Sequence, residues 1–90
     1  MNYNFFIQDL ESNIKYGRCY KLNKLIVNIN RLLQKSNNQI VEYCKALKPE
    51  VENLKEPYDF HTRLLTSPEI DEKINQISLD LINFIKQNNN

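Results

Sequence analysis

Residues 67–86 read SPEIDEKINQISLDLINFIK, and this stretch decides the fold class. Ser67 is a favourable N-cap, Pro68 suits the first position of a helix, and the acidic residues that follow favour the positive end of the helix dipole. Apolar residues then recur at intervals of four and three, which is the period of one helix face. They are Ile70, Ile74, Ile77, Leu81 and Phe84. The stretch therefore predicts an amphipathic α-helix that buries one side.

Three earlier stretches show the same apolar period and predict helices over about 2–15, over about 18–35, and from 38 or 39 to Pro57. Gly17 is expected to end the first helix in a left-handed conformation. Leu25 and Leu32 widen the second stripe, which favours a central helix with neighbours on two sides. The three stripes are Tyr3, Phe6, Ile7, Leu10 and Ile14; Cys19, Leu22, Ile26, Ile29 and Leu33; and Ile40, Cys44, Leu47, Val51 and Leu54.

Four amphipathic helices with short connections predict an all-α fold, a small antiparallel four-helix bundle. The single glycine in 90 residues disfavours an all-β fold, because strand-rich folds need glycine at tight turns. The third stripe keeps its phase across Pro49, so we expect one helix kinked near Pro49; the alternative is a break at Lys48. Residues 58–66 are expected to form a short helical piece or loop. One domain is expected over 1–87, with a frayed tail at 88–90.

The net charge is only +1, which disfavours nucleic acid as the main partner. The densest basic group is Lys15, Arg18, Lys21 and Lys24, interpreted as a solvated helix face rather than a binding patch. No apolar run approaches the roughly 20 residues of a membrane span, and the N-terminus does not resemble a signal peptide. We therefore expect a cytoplasmic protein.

The residues that carry chemistry do not form a recognisable pattern, so we expect no enzymatic activity, metal or cofactor. Cys19 and Cys44 lie on apolar stripes and are interpreted as buried, reduced thiols. Their spacing from His61 is not that of a structural zinc site. A glycine-rich phosphate loop is excluded by the single glycine.

His61 is the only histidine, and it lies in the segment 60–68, which reads FHTRLLTSP. This segment resembles the phosphoacceptor box of histidine kinases, in which a helical histidine precedes an acidic residue, a basic residue, threonine and proline. Here Thr62 replaces the acidic residue and the spacing differs. The resemblance implies a phosphorelay element that uses His61, which we keep as the least favoured function.

A non-catalytic protein-binding module is the function that the sequence favours. Size and helical class resemble those of small bacteriocin immunity proteins, and antitoxins and inhibitors act in the same way by covering a partner's surface. The alternative is a homodimeric structural or regulatory protein. A partner surface could include Tyr16, Tyr20, Tyr43 or Tyr58, although the favoured interpretation places these tyrosines at the edge of the core and the ends of the bundle. The predicted partner-binding residues are Tyr43, Glu50, Glu52, Glu56, Tyr58, Asp59, His61 and Arg63.

Overall fold

The computed structural model describes residues 2–17, 20–55 and 68–89, and within these ranges the fold is all-α, as predicted. Four helices follow one another along the chain, and no strand occurs in the part described. They are α1 (Asn4–Tyr16), α2 (Lys21–Lys35), α3 (Asn38–Glu52) and α4 (Pro68–Asn88). The expected piece at 58–66 lies outside these ranges.

The start of α4 at Pro68 agrees with the prediction, and Glu69 and Asp71 occupy its first turn. The predicted cap, Ser67, lies outside the described residues. The expected left-handed conformation of Gly17 is wrong, because Gly17 is extended, with φ −64° and ψ 137°. Glycine is needed there for a different reason: its N–H donates to the Asn13 carbonyl at 2.9 Å, and an added Cβ would overlap that oxygen.

Helix α3 passes through Pro49 without a break, so the alternative of two helices separated at Lys48 is wrong. A kink at this point stays a prediction. Helix α3 ends at Glu52, five residues earlier than Pro57, where the sequence predicted its end. The reason is local: the Leu54 N–H bonds to the Val51 carbonyl three residues back at 3.1 Å, which tightens the chain out of the α-helical pattern.

Among the described helices, α2 contacts the other three, and so does α4. This agrees with the neighbours on two sides that the sequence predicted for the second helix. The centre of its buried side differs from the prediction, because Leu25 and Leu32 are fully buried whereas Ile26 and Leu33 are only partly buried. A helix with neighbours on several sides buries a wider arc than one apolar stripe.

Asn37, the second of the two residues between α2 and α3, joins three elements through hydrogen bonds. Its side-chain oxygen accepts from the Ile40 N–H at 3.0 Å and caps α3. Its amide nitrogen donates to the Asn88 carbonyl at 2.7 Å, and its backbone N–H donates to the Tyr3 hydroxyl at 3.1 Å. Asn88, which the sequence places in a frayed tail, is thus the last residue of α4 and is held by this corner.

Polar side chains also lie buried between α1 and α2, which the apolar pattern does not reveal. Asn28 donates from its amide nitrogen to Asp9 at 2.8 Å and to the Lys24 carbonyl at 2.9 Å. Asn13 donates to the Lys21 carbonyl at 2.9 Å. Hydrogen bonds of fixed geometry between two helices restrict how they can slide past each other.

Replacing Asn37 by alanine removes the cap of α3 and the bond to Asn88. We expect the free energy of unfolding to fall by about 1–2 kcal/mol, the usual cost of losing an N-cap. Urea titration followed by circular dichroism measures it. The matched control is Asn38→Ala, one residue further on at an exposed position, which is expected to change stability by less than about 0.5 kcal/mol. Equal losses in the two variants would contradict the role of Asn37.

Leu25 and Val27 test which side of α2 is buried. Leu25 is fully buried and Val27 is 45% exposed, only two residues further along the helix. Leu25→Ala is expected to lower the free energy of unfolding by about 2–5 kcal/mol through loss of packing and formation of a cavity. Val27→Ala is expected to lie within about 0.5 kcal/mol of the original chain in the same titration. The reverse order would show that the helix is rotated.

Candidate partner-binding surfaces

Three of the eight predicted partner-binding residues fall in the described part of the chain: Tyr43, Glu50 and Glu52. The other five residues lie outside the described part of the chain, so their role in binding stays a prediction. They are Glu56, Tyr58, Asp59, His61 and Arg63. The phosphorelay interpretation of His61 stays a prediction for the same reason.

Tyr43 is partly buried where α3 meets α4. Its ring stacks on Phe84 of α4, with ring centres 4.1 Å apart and planes inclined by 16°. Burial raises the pKa of the Tyr43 hydroxyl, and the negative charge of Asp80 nearby raises it further. The hydroxyl therefore stays protonated at neutral pH and can act as a hydrogen-bond donor, while the ring holds the two helices together.

Tyr43 and Glu50 border one surface depression, which we name the α3–α4 groove. It consists of two adjoining hollows of about 330 and 160 Å³ that share Glu50. Glu52 is exposed but does not line either hollow. The structure thus brings together two of the predicted residues and leaves the third outside. The full lining is Tyr43, Ala46, Leu47, Glu50, Leu54, Lys73, Gln76, Ile77 and Asp80.

The α3–α4 groove combines an apolar floor with charges of both signs. Leu54 and Ile77 line the larger hollow, beside Glu50, Asp80 and Lys73. Asp80 also accepts a hydrogen bond from Gln76 at 2.9 Å. An open hollow of this kind suits one apolar side chain of a partner with a polar group at its tip.

A second surface follows the solvent side of α2, and we name it the α2 outer face. Its members recur at intervals of four, three, four and four, and all are exposed. They span about 22 Å along the axis, at about 1.5 Å per residue. The members of the α2 outer face are Tyr20, Lys24, Val27, Arg31 and Lys35.

Two tyrosines lie at the junction between α1 and α2. Tyr16 is the last residue of α1 and is 71% exposed, and Tyr20 immediately precedes α2 and is 70% exposed. Lys15 extends over the Tyr16 ring, 5.7 Å from its centre. The sequence indicated this exposure for Tyr20, which falls outside the apolar stripe of its helix.

The sequence contains a signal for the α2 outer face that its interpretation missed. Basic and acidic residues are segregated along the chain. Residues 12–41 contain six of the twelve Lys and Arg residues and none of the eleven Asp and Glu residues. A net charge of +1 hides this segregation. The sequence interpretation considered only the four cations from Lys15 to Lys24, whereas the stretch without acidic residues extends to Arg31 and Lys35.

Cys44 is buried in α3, as the sequence predicted, and its thiol is not bonded to another cysteine. Burial raises the pKa of the Cys44 thiol to about 11. A thiol with so high a pKa is almost entirely protonated at neutral pH and is a poor nucleophile. Cys19 lies outside the described residues.

The described residues were compared with the requirements of a metal site and of a membrane span, and the chain was compared with known proteins. Across 2–17, 20–55 and 68–89, no three side chains of His, Cys, Asp or Glu are grouped so that they could hold a metal ion. None of the helices in those ranges combines the length and the apolar character that crossing a membrane requires. No protein-family model matches the chain, and neither a curated protein nor a solved structure matches it.

The buried Cys44 thiol makes stability depend on alkaline pH. The pKa of the Cys44 thiol in the folded chain, about 11, exceeds the ordinary thiol value of 9.0, which applies to the unfolded chain. The unfolded chain thus loses this proton first, and the free energy of unfolding should fall between about pH 9 and 11, by at most about 1.4 kcal/mol per pH unit. Urea titrations across this range measure it. In Cys44→Ala the fall should be smaller; an unchanged slope would contradict the assignment.

Proposed function

We propose that this chain is a non-catalytic protein-binding module that covers part of a partner's surface, as small immunity, antitoxin and inhibitor proteins do. The observation that carries the proposal is the exposure of Tyr16 and Tyr20, more than two thirds each, at one junction of the bundle. Tyrosine joins a large apolar ring to a polar tip and is enriched among the residues that dominate binding energy at protein interfaces.

The contrast with other aromatic residues supports this proposal. Tyr3 and Phe6 are buried in the core, and Tyr43 stacks on Phe84. Leaving an aromatic ring in water forgoes roughly 1.5–3 kcal/mol of burial free energy. Tyr16 and Tyr20 leave two such rings exposed at one junction, and a bound partner would cover both of them.

The finer arrangement that we propose is an antiparallel bundle within one domain, and two hydrogen bonds support it. Asn37 bonds to Tyr3, just before α1, and to Asn88 at the end of α4. The start of α1, the α2–α3 corner and the end of α4 would then share one end of the bundle. The α1–α2 junction, with Tyr16 and Tyr20, would lie at the other end and be free for a partner.

A homodimer is the second candidate, and it has its own support. Phe5 is 59% exposed and packs edge-to-face on Phe6 at 5.8 Å, so α1 carries apolar surface away from the α1–α2 junction. Leu79 adds exposed apolar area on α4. Light scattering coupled to chromatography separates the two functions, because a stable dimer favours self-association and a monomer favours a different partner.

The tyrosine pair can be tested with the double variant Tyr16→Ala/Tyr20→Ala. The tagged chain serves as bait in extracts of its native host, and captured proteins are identified by mass spectrometry. We expect the original chain to retain a specific partner and the double variant to bind it at least about tenfold more weakly, because an interface tyrosine commonly contributes more than 1 kcal/mol.

Phe5→Ala is the matched control, since it also removes an exposed aromatic ring but lies at the far end of α1. It should keep the partner. Equal capture by the double variant and the original chain would exclude the tyrosine junction as the interface. Failure of the original chain to retain any protein would count against the binding function as a whole.

A further inference from the structure

We propose that the partner presents an acidic protein segment that docks along the α2 outer face. The inference rests on the proposed protein-binding function and adds the chemistry of the partner. Lys24, Arg31 and Lys35 supply the positive charge. On the same side of the helix, Val27 lies between Lys24 and Arg31, and Tyr20 lies one turn before Lys24.

The geometry sets the pattern that the partner must match. From Lys24 to Arg31 the helix rises by about 10 Å, and from Arg31 to Lys35 by about 6 Å, at about 1.5 Å per residue. Carboxylates repeated at seven and four residues along one side of a partner helix have the same separations. Apolar residues between those carboxylates would contact Val27 and the Tyr20 ring, both exposed.

The cations of the α2 outer face are not neutralised by the helix that carries them. The sequence of α2 contains four Lys or Arg residues and no acidic residue. Within the described ranges, ion pairs join Lys45 to Glu42 at 3.3 Å and Lys86 to Glu11 at 3.8 Å, and neither pair includes Lys24, Arg31 or Lys35. Complementary negative charge must therefore come from outside this helix.

The first turn of α2 carries positive side chains, although the N-terminal end of a helix favours negative ones. The positive end of the helix dipole favours acidic side chains, yet this turn has none, and Lys21 and Lys24 occupy it instead. Lys21 is buried and donates to the Ile14 carbonyl at 3.4 Å, which gives it a structural role. Lys24 is exposed, so binding explains its position better than helix stability does.

A protein fits this surface better than a nucleic acid or a membrane. All eleven acidic residues lie outside 12–41, beside only six bases, so most of the chain would repel a phosphate backbone. A membrane-surface helix inserts a broad apolar face, but that face of α2 is buried against the other helices. Tyrosine and arginine on one face are typical of protein interfaces.

The test uses a synthetic helical peptide with glutamates at the spacing of seven and four and leucines between them. The full chain, labelled with ¹⁵N, is titrated with the peptide and followed by NMR. We expect shifts confined to the α2 outer face and its neighbours, and binding that weakens at least about tenfold from low to physiological salt, as for exposed charges. The same peptide with glutamine in place of glutamate should not bind.

Charge reversal supplies the matched control. Lys24→Glu/Arg31→Glu/Lys35→Glu should weaken peptide binding at least about tenfold. Lys45→Glu/Lys48→Glu/Lys55→Glu changes the net charge equally at exposed or partly exposed sites outside both α2 and the α3–α4 groove, and should bind as the original chain does. Circular dichroism checks that each is folded. If the first triple variant does not fold, Lys24→Gln/Arg31→Gln replaces it, with the same expectation of weaker binding.

Several outcomes would overturn the acidic-segment proposal. They are no binding of the peptide, shifts centred on the α3–α4 groove, or tighter binding of duplex DNA or phosphatidylserine vesicles through the same residues. A partner lost by Tyr16→Ala/Tyr20→Ala but kept by the α2 triple variant would leave the binding function standing and refute the acidic partner. Association of the chain with itself through α2, seen by sedimentation, would also refute it.

Discussion

Burial of the aliphatic side of α2 against its three neighbours is the interaction on which the rest of the structure depends. Leu22, Leu25, Ile29 and Leu32 are almost wholly removed from water, and each contributes roughly 1.5–3 kcal/mol of burial free energy. Because a helix has two sides, burying this side determines which residues face outward. The α2 outer face is therefore a direct consequence of the core.

Polar contacts then select one arrangement among those that the apolar stripes allow. Apolar packing tolerates small shifts, whereas the bonds from Asn37 to Tyr3 and Asn88 form only at one register of the helix ends. Asn28 and Asp9 restrain α1 against α2 in the same way. Buried polar groups cost free energy when they lose their partners, so these contacts penalise alternative packings.

The two candidate surfaces differ in what they offer a partner. The α3–α4 groove is concave, with an apolar floor and mixed charge, and Tyr43 at its edge also holds the bundle together. The α2 outer face is convex and basic, and its side chains are not used by the core. A substitution on the second surface can therefore change binding without changing the fold, which makes the basic surface the easier one to test.

The sequence by itself determined the all-α class, the start of α4 at Pro68 and the apolar side of each helix, because these follow from local signals and a period of 3.6 residues. It could not place Asn28 in the interior or bring Tyr43 and Glu50 to one groove with Asp80, because hydrogen bonds and packing between distant residues have no period. The missed basic face was readable in composition, but only the packing of α2 decided that Lys24, Arg31 and Lys35 point into solvent while Lys21 is buried.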